Sequence, residues 1–210
     1  MMISIKEFLL NKDKLNKAPD FVKATDETIK DLVREGLEKY GHDADLNYID
    51  VSEVTNMGRL FSGLRSFDGD ISTWDTSNVI DMHMMFVGLD KFNCDIGGWD
   101  VSNVKDMSNM FKDCIEFNQD ISDWDMSNCM NTMWMFYDCY KFNQDLSKWD
   151  TSKICDMTGM FCYCEKFDQD LSSWNVAKVE RCKNIFKKTH MIDKTEQHPK
   201  FTAACMMNSK

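Results

Sequence analysis

The sequence predicts an α/β repeat fold, a solenoid of about five to six 25-residue turns behind an N-terminal helical cap. Three observations predict it. One sequence motif recurs every 25 residues, apolar residues recur at the same positions of each copy, and the apolar residues are unusually rich in Met, Phe and Trp. The 210 residues include 17 Met, 14 Phe and 6 Trp, as expected when one short pattern has been copied several times. Stacked copies bury a continuous core that a single copy cannot build.

Four apolar columns keep the interval of 25 residues, without insertion or deletion, between Val51 and Phe186. The tryptophan column is Trp74, Trp99, Trp124, Trp149 and Trp174. The phenylalanine columns are Phe61, Phe86, Phe111, Phe136, Phe161 and Phe186, then Phe67, Phe92, Phe117, Phe142 and Phe167. The fourth column is Ile71, Ile96, Ile121, Leu146 and Leu171. Because chance does not give four columns in one register, we expect neighbouring copies to stack on each other.

Each copy is predicted to contain a short helix and a short strand. The residues with the spacing of one helix face are Met107, Met110, Phe111 and Cys114. Asp106 stands in front of them, where its carboxylate can cap free backbone N–H groups. Residues 117–122 are too short and too polar for a helix, and they are the strand candidate. Such strands would stack in parallel, about 4.8 Å apart.

The limits of the pattern divide the chain into residues 1–48, 49–188 and 189–210. Residues 1–48 are predicted to be an N-terminal helical cap, with a helix that begins at Thr25 or Asp26 and ends at Gly41. The apolar face of this helix is Ile29, Leu32, Val33 and Leu37. That face can cover the first copy or, as an alternative, bind a partner. A shorter helix is expected over residues 3–15. Residues 189–210 are expected to be a tail or cap with partial disorder.

The repeated motif is W-D-x-S-N-V-x-D-M-x-x-M-F followed by F-N-Q-D-I-S. It resembles the BspA-like repeat, a leucine-rich-repeat-related family. The resemblance covers residues 49 to about 188. It implies a leucine-rich-repeat-like solenoid and an adhesive or unknown function, with no catalytic residues. The Trp-Asp pairs that carry it are at 74–75, 99–100, 124–125 and 149–150, and Phe-Asn-Gln-Asp occurs at 117–120 and 142–145. Thr132 and Trp134 depart from this motif, since Thr132 replaces the first Met and Trp134 stands at an otherwise polar position.

Composition disfavours several classes of function. There are 35 acidic and 25 basic residues and a net charge of -10, which repels nucleic acids and anionic membrane surfaces. No apolar run reaches the roughly 18 residues of a membrane span, and Lys6 and Glu7 interrupt the stretch where a secretory signal has its apolar core. Nine cysteines, an odd number, are expected as reduced thiols in the cytoplasm. Location at the cell surface or outside the cell is the alternative.

Two kinds of column contain metal-ligating residue types, and each has a structural explanation. The cysteines Cys114, Cys139 and Cys164 lack the paired Cys-x-x-Cys spacing of structural zinc sites and are expected to be buried thiols. The aspartates would repel one another across neighbouring copies unless they accept backbone hydrogen bonds in turns or bind cations. The aspartate columns are Asp70, Asp95, Asp120, Asp145 and Asp170, then Asp75, Asp100, Asp125 and Asp150. We predict no metal and no cofactor.

The predicted function is that of a non-catalytic scaffold, a monomer that binds a partner protein through its repeat surface. The sequence has no nucleophile elbow and no phosphate-binding loop, so no enzyme is predicted. Positions that vary between copies form the candidate binding surface. Trp134 and Tyr137 are its aromatic anchors, although Trp134 can equally pack locally. Its polar members are Asp123, Lys148, Gln119, Gln144 and Gln169. The alternatives are a surface or secreted adhesin and a cation-binding structural rod.

Overall fold

The computed structural model describes residues 20–202 and Cys205, and its regular elements are few and short. They are strand β1 (Val22–Lys23), helix α1 (Ile29–Tyr40), strand β2 (Ile49–Asp50) and a 3-10 helix (Thr195–Gln197). Strand β1 pairs in parallel with β2, with Val22 opposite Ile49. The helix predicted over residues 3–15 lies outside the described residues.

The 25-residue copies lie on one another in parallel register. The isolated parallel bridges join Asp45 with Asp70, Asn56 with Asp81, Asp81 with Asp106, Asp106 with Asn131, Asn131 with Asp156, and Asp156 with Arg181. Backbone hydrogen bonds extend each bridge; for example, the Met107 N–H donates to the Asn131 carbonyl oxygen at 3.0 Å. Every copy therefore carries a short backbone ladder to the copy that follows it.

The segment predicted as a helix is a run of turns. Asn109 and Asp113 have positive φ angles of 58° and 62°, and a residue in this left-handed region interrupts a right-handed helix. The N–H groups of Asn109 and Asp113 donate to the next copy, at 2.8 and 2.7 Å, so they are not available to a helix. Met107, Met110 and Phe111 are nevertheless buried, because a turn satisfies the same apolar spacing.

The strand predicted over residues 117–122 is also absent from that copy, where the structure has neither a strand nor a bridge. Side chains connect the copies at this position instead. The Asn118 N–H donates to the Asn93 side-chain oxygen at 2.9 Å, and Gln119 Nε2 donates to the Asn93 carbonyl oxygen at 2.7 Å. The backbone ladder thus lies where a helix was predicted, and a side-chain ladder lies where a strand was predicted.

Aromatic columns form the core. The Phe111 ring lies 4.0 Å from the Phe117 ring in its own copy and 5.6 Å from the Phe136 ring in the next, measured between centroids. Each tryptophan of the column donates its indole N–H to a carbonyl oxygen 28 residues earlier, as Trp124 does to Ile96 at 3.2 Å. Burying one phenylalanine side chain fully is worth roughly 2 kcal/mol, so the stacked rings are a principal source of stability.

Helix α1 packs into the same core as the copies, with Ile29, Val33 and Leu37 buried. It ends at Gly41, as predicted, where φ is 98° and the N–H donates to the Leu37 carbonyl oxygen. The predicted start was wrong, since the N-cap residue is Thr28 and makes no side-chain cap bond. The Asp26 carboxylate is used elsewhere: it accepts the N–H groups of Thr55 and Asn56, at 2.7 and 3.0 Å.

Within residues 189–210, the predicted C-terminal tail or cap, residues 189–202 pack against the last copy. The His198 ring lies 4.4 Å from the Phe186 ring, where it extends the phenylalanine column by one ring. The Leu171 N–H donates to the Gln197 carbonyl oxygen at 2.9 Å. Cys182 and Cys205 form a disulfide, with their Cα atoms 5.8 Å apart. This bond corrects the prediction that all nine cysteines are reduced thiols.

Candidate interaction surface

The aspartate columns are built into turns. All nine column aspartates accept the N–H of the residue two positions later with Oδ1, which confirms the predicted turn bonds. At Asp120 this bond comes from Ser122 and is 3.0 Å long. The bond lowers the pKa of Asp120 below its usual value, with the backbone N–H of Ser122 as the largest cause. One oxygen of each carboxylate therefore has a structural role.

The column cysteines are also structural. The Cys139 thiol donates to the Phe111 carbonyl oxygen at 2.8 Å, and Cys164 repeats this bond to Phe136 at 2.7 Å. Burial raises the pKa of the Cys139 and Cys164 thiols well above the usual value, and a thiol held protonated is a poor nucleophile and metal ligand. Within residues 20–202 and Cys205, no group of three or more His, Cys, Asp and Glu side chains is arranged to hold a metal ion.

The three predicted glutamines belong to the ladder between copies. Gln144 Nε2 donates to the Asn118 carbonyl oxygen at 2.8 Å, as Gln119 does to Asn93 and Gln169 to Asn143. Each glutamine is partly buried. The structure thus gives Gln119, Gln144 and Gln169 a role in stacking, which accounts for these residues without a partner.

Asp123 and Lys148 meet each other on the outside of the stack. Lys148 Nζ lies 3.3 Å from Asp123 Oδ1, and the two side chains are 70% and 84% exposed, respectively. An ion pair this exposed contributes little stability, about 0 to 1 kcal/mol. This weak ion pair can be replaced by ion pairs with a partner protein, so Asp123 and Lys148 remain candidates at the edge of an interface.

Trp134 and Tyr137 lie together, and Tyr163 of the next copy joins them. The Trp134 and Tyr137 ring centroids are 6.3 Å apart, and Tyr163 lies edge-on to Tyr137 at 5.5 Å. Trp134 is 40% exposed, whereas the five column tryptophans are buried. We call Trp134, Tyr137 and Tyr163 the aromatic patch. Among residues 50–202, the ring contacts that involve no buried ring are those within this patch.

Two rings of the aromatic patch are placed where the backbone is left-handed. Trp134 has φ 54° and Tyr163 has φ 65°, a region that bulky residues avoid. Glycine stands in the same two columns at Gly159 and Gly88, also with positive φ. A bulky residue held there costs on the order of 1 kcal/mol. Arg59, Met84 and Lys188 share these left-handed columns, so the backbone conformation belongs to the turn that the copies have in common, and the aromatic side chains are what sets the two positions apart.

Charged residues surround the aromatic patch. Lys112 Nζ lies over the Tyr137 ring, 5.3 Å from its centroid, and Lys187 Nζ lies 5.8 Å from that of Tyr163. The pKa of the Tyr137 hydroxyl is raised, first by desolvation and then by neighbours that include Cys162, Tyr163, Asp138 and Asp113. The patch thus combines apolar area with charges of both signs, as interfaces do at the boundary of their core and rim.

Three residues at the patch were not predicted from the sequence: Tyr163, Lys112 and Lys187. Lys112, Tyr137 and Lys187 share a column that also contains Cys162, so the column changes chemical type from copy to copy. That variability was a usable signal, because positions fixed by packing keep their type. Tyr163 carried the second signal, since it is a tyrosine in the column of Gly88.

Comparison with known proteins gives one family. A family model described as "Mycoplasma protein of unknown function, DUF285" matches residues 34–141 and, in a second match, residues 116–209. Two overlapping matches are what a repeat protein produces when one model fits more than one stretch of copies. No curated protein and no solved structure matches the chain. In the part of the chain that the structure describes, no helix has the length and apolar character that crossing a membrane requires.

Proposed function

This chain belongs to the DUF285 family, and we propose that it is a non-catalytic, monomeric scaffold that binds a partner protein through the aromatic patch. The observation that carries the proposal is the exposure of Trp134, which is 40% exposed and lies beside Tyr137, whereas the column tryptophans are buried. Tryptophan and tyrosine are preferred anchors of protein interfaces.

The family relationship supports a repeat scaffold. DUF285 is related to BspA-like repeat proteins, and we propose that the stacked copies form a solenoid of the leucine-rich-repeat type. In such a solenoid, side chains at equivalent positions of successive copies share one extended surface. The aromatic patch fits this arrangement, because it is assembled from two neighbouring copies, with Lys112 and Lys187 contributed by the copies on either side.

The proposal contains no catalytic step, because the recurring polar groups have structural partners. The column aspartates accept turn N–H groups, the glutamines donate to the preceding copy, and the column thiols donate to buried carbonyl oxygens. A catalytic site needs a nucleophile or base free to meet a substrate. In these columns, the aspartate, glutamine and cysteine side chains are already engaged in structural hydrogen bonds.

A surface adhesin is the second candidate, and the disulfide favours it. Disulfides persist in oxidising compartments and are rare in the cytoplasm, so the bond between Cys182 and Cys205 supports a location outside the cytoplasm. If the chain is an adhesin, its partner is an extracellular protein, and the aromatic patch remains the binding surface. Labelling of intact cells with a membrane-impermeant reagent distinguishes the two, since only a surface protein is labelled before lysis.

The experiment that tests the scaffold is affinity capture with matched variants. The tagged protein and its Trp134→Asn variant are incubated with native lysate, and each captured protein is then purified and titrated directly. Asn is the residue at 109 and 184, in the same column and with positive φ, so the variant should fold. We expect Trp134→Asn to weaken partner binding by about tenfold or more, as loss of an interface anchor does.

Two control variants identify the surface. Lys91→Glu changes an exposed lysine with no described contact to the aromatic patch, and Gln144→Ala removes a bond between copies; both should bind the partner as the unmodified protein does when folded. Thermal melting of each variant verifies folding before binding is compared. Equal affinity of Trp134→Asn and the unmodified protein would refute the aromatic patch as the binding surface.

A further inference from the structure

The last copy of the repeat is basic, although the chain as a whole is acidic. Residues 181–188 contain no aspartate or glutamate but four basic residues, Arg181, Lys183, Lys187 and Lys188, and all four are exposed. We call these four residues the basic edge. The equivalent stretch of each earlier copy, from 56–63 to 156–163, contains at most one lysine or arginine. In a chain with a net charge of -10, positive charge is thus concentrated in the last copy.

The basic edge continues the aromatic patch. Lys187 belongs to the same column as Tyr137, and Lys188 belongs to the same column as Tyr163. The Tyr163 N–H donates to the Lys187 carbonyl oxygen at 2.8 Å, and Lys187 Nζ lies 5.8 Å from the centroid of the Tyr163 ring. A partner that is anchored on the aromatic patch therefore meets the basic edge in the adjoining copy.

The last copy also has backbone donors that the earlier copies use to bind one another. The N–H groups of Gly159 and Tyr163 each donate to a carbonyl oxygen of the last copy at 2.8 Å. Asn184 and Lys188 occupy the same two positions one copy later, and both residues are exposed. Among residues 20–202 and Cys205, no oxygen accepts the N–H of either residue. The last copy thus offers two backbone donors beside its lysine side chains.

We infer that the basic edge binds an acidic segment of the partner, with carboxylates beside Lys187 and Lys188 and oxygen atoms that accept the N–H groups of Asn184 and Lys188. The inference rests on the proposed function and names the chemistry of the partner next to its aromatic contact. Carboxylate and carbonyl oxygens accept hydrogen bonds from ammonium groups and from backbone N–H groups alike. A basic segment would be repelled by the same lysines.

A protein segment fits the basic edge better than a nucleic acid does. The column of Lys188 contains Asp113 and Asp138 in earlier copies, so the charge along this column changes from negative to positive toward the last copy. A short acidic segment can end where the positive charge ends. A polyanion that extends beyond the basic edge meets the negative charge of the remaining chain, which opposes its binding.

The test is a titration of the full chain, labelled with nitrogen-15, with two capped hexapeptides. The acidic probe is Gly-Asp-Glu-Glu-Asp-Gly, and the neutral probe is Gly-Asn-Gln-Gln-Asn-Gly, which keeps the side-chain shapes without the charges. The readout is the set of backbone N–H signals, in which those of Asn184 and Lys188 should shift saturably. At low ionic strength we expect the acidic peptide to bind about fivefold more tightly or better, an advantage that added salt reduces by screening.

Two double variants with the same change of charge separate the basic edge from general attraction. Lys187→Ser with Lys188→Gly introduces the Ser-Gly pair that stands at 62–63 in the same columns, so this variant should fold. Lys91→Ser with Lys105→Thr removes two exposed lysines elsewhere. We expect the first variant to weaken binding of the acidic peptide about threefold to tenfold and the second to leave it nearly unchanged. Thermal melting of both variants verifies folding.

Several results would overturn the inference. They are equal weakening by the two double variants, a neutral peptide that binds as tightly as the acidic one, and signals of Asn184 and Lys188 that do not move. A twelve-nucleotide single strand of DNA that binds more tightly than the acidic peptide would identify a nucleic-acid site instead. Self-association in sedimentation that the Lys187 and Lys188 changes abolish would identify a second copy of the chain as the occupant. The comparison of the two peptides requires no variant, so it decides even where a variant does not fold.

The captured partner separates this inference from the proposed function. We expect its binding to be weakened both by Trp134→Asn and by the double change at Lys187 and Lys188. If binding depends on Trp134 but is unchanged by the double variant, the proposed scaffold function stands and this inference falls. If binding depends on neither site, both fall together.

Discussion

The indole of Trp134 lies against Gly159 of the next copy, in the space that a side chain at 159 would need. A Cβ atom on Gly159 would come within 2.7 Å of Trp134 Nε1 and still closer to Cδ1. Both residues belong to one column, and both have positive φ angles, 54° and 58°. The glycine therefore does two things: it adopts a left-handed backbone easily, and it makes room for the ring of its neighbour.

This contact predicts that Gly159 and Trp134 are coupled in stability. Gly159→Ala should cost about 1 to 2 kcal/mol from its left-handed backbone alone, and more because the methyl group displaces the indole. In the Trp134→Asn background only the backbone cost remains, so the two changes should couple by on the order of 1 kcal/mol. Denaturant unfolding of the four proteins of this double-mutant cycle measures the coupling. The same cost for Gly159→Ala in both backgrounds would show that the ring does not depend on the glycine.

The buried tryptophan column predicts a larger loss at Trp124. Trp124→Phe removes the indole N–H that donates to the Ile96 carbonyl oxygen at 3.2 Å, leaving that oxygen with the Trp99 N–H alone and a space in the core. The expected cost is about 2 to 4 kcal/mol, measured by denaturant unfolding. Trp134→Phe is the matched control, because its ring is 40% exposed, and it should cost less than about 1 kcal/mol. Equal losses would contradict the distinction between the two tryptophans.

The turn bonds predict that Asp120→Ala destabilises the stack by on the order of 1 kcal/mol. Asp120 accepts the Ser122 N–H at 3.0 Å, and alanine leaves that N–H without its partner. Asp120→Asn keeps a side-chain acceptor and should keep most of the stability at neutral pH. Thermal melting of both variants beside the unmodified protein provides the measurement, and an alanine variant as stable as the asparagine variant would contradict a structural role.

The same bonds predict a dependence of stability on pH. The pKa values of Asp120 and Asp145 are lowered in the folded protein, mainly by the backbone N–H groups of Ser122 and Ser147. A carboxylate with a lowered folded pKa stabilises the fold above its unfolded value, and that contribution is lost as the pH falls through the folded pKa. The melting temperature should therefore fall as the pH is lowered below the ordinary value of 3.8. In Asp120→Asn this fall should be smaller, because one titrating carboxylate is gone.

The disulfide predicts that a reducing agent loosens the C-terminal segment. The bond between Cys182 and Cys205 closes a loop with a sequence separation of 23, and its loss should cost about 3 kcal/mol by the chain-entropy relation. Melting with and without reductant measures the effect, and Cys205→Ser should melt like the reduced protein. Cys155→Ser is the control, since Cys155 is a free thiol, and it should retain the response to reductant. A melting temperature indifferent to reductant would show that the bond contributes nothing.

The buried columns could be predicted from the sequence because the packing between similar copies repeats every 25 residues. The buried rings of Phe111 and Trp124 and the turn bond of Asp120 were all predicted from that register, and the structure contains each of them. The secondary structure within each copy could not be predicted in this way. The spacing of Met107 and Met110 is compatible with a helix and with a turn, and only the hydrogen bonds to the next copy decide between the two.

The candidate surface divides in the same way. The sequence by itself determined that Trp134 and Tyr137 break the pattern, since a departure from a repeat is visible in one dimension. Only the tertiary structure decided that Tyr163 and Lys112 join them, and that Gln144 belongs to the ladder between copies. The physical reason is that a repeat records which side chains stack with their equivalents, whereas contacts between different columns depend on how the backbone turns within each copy.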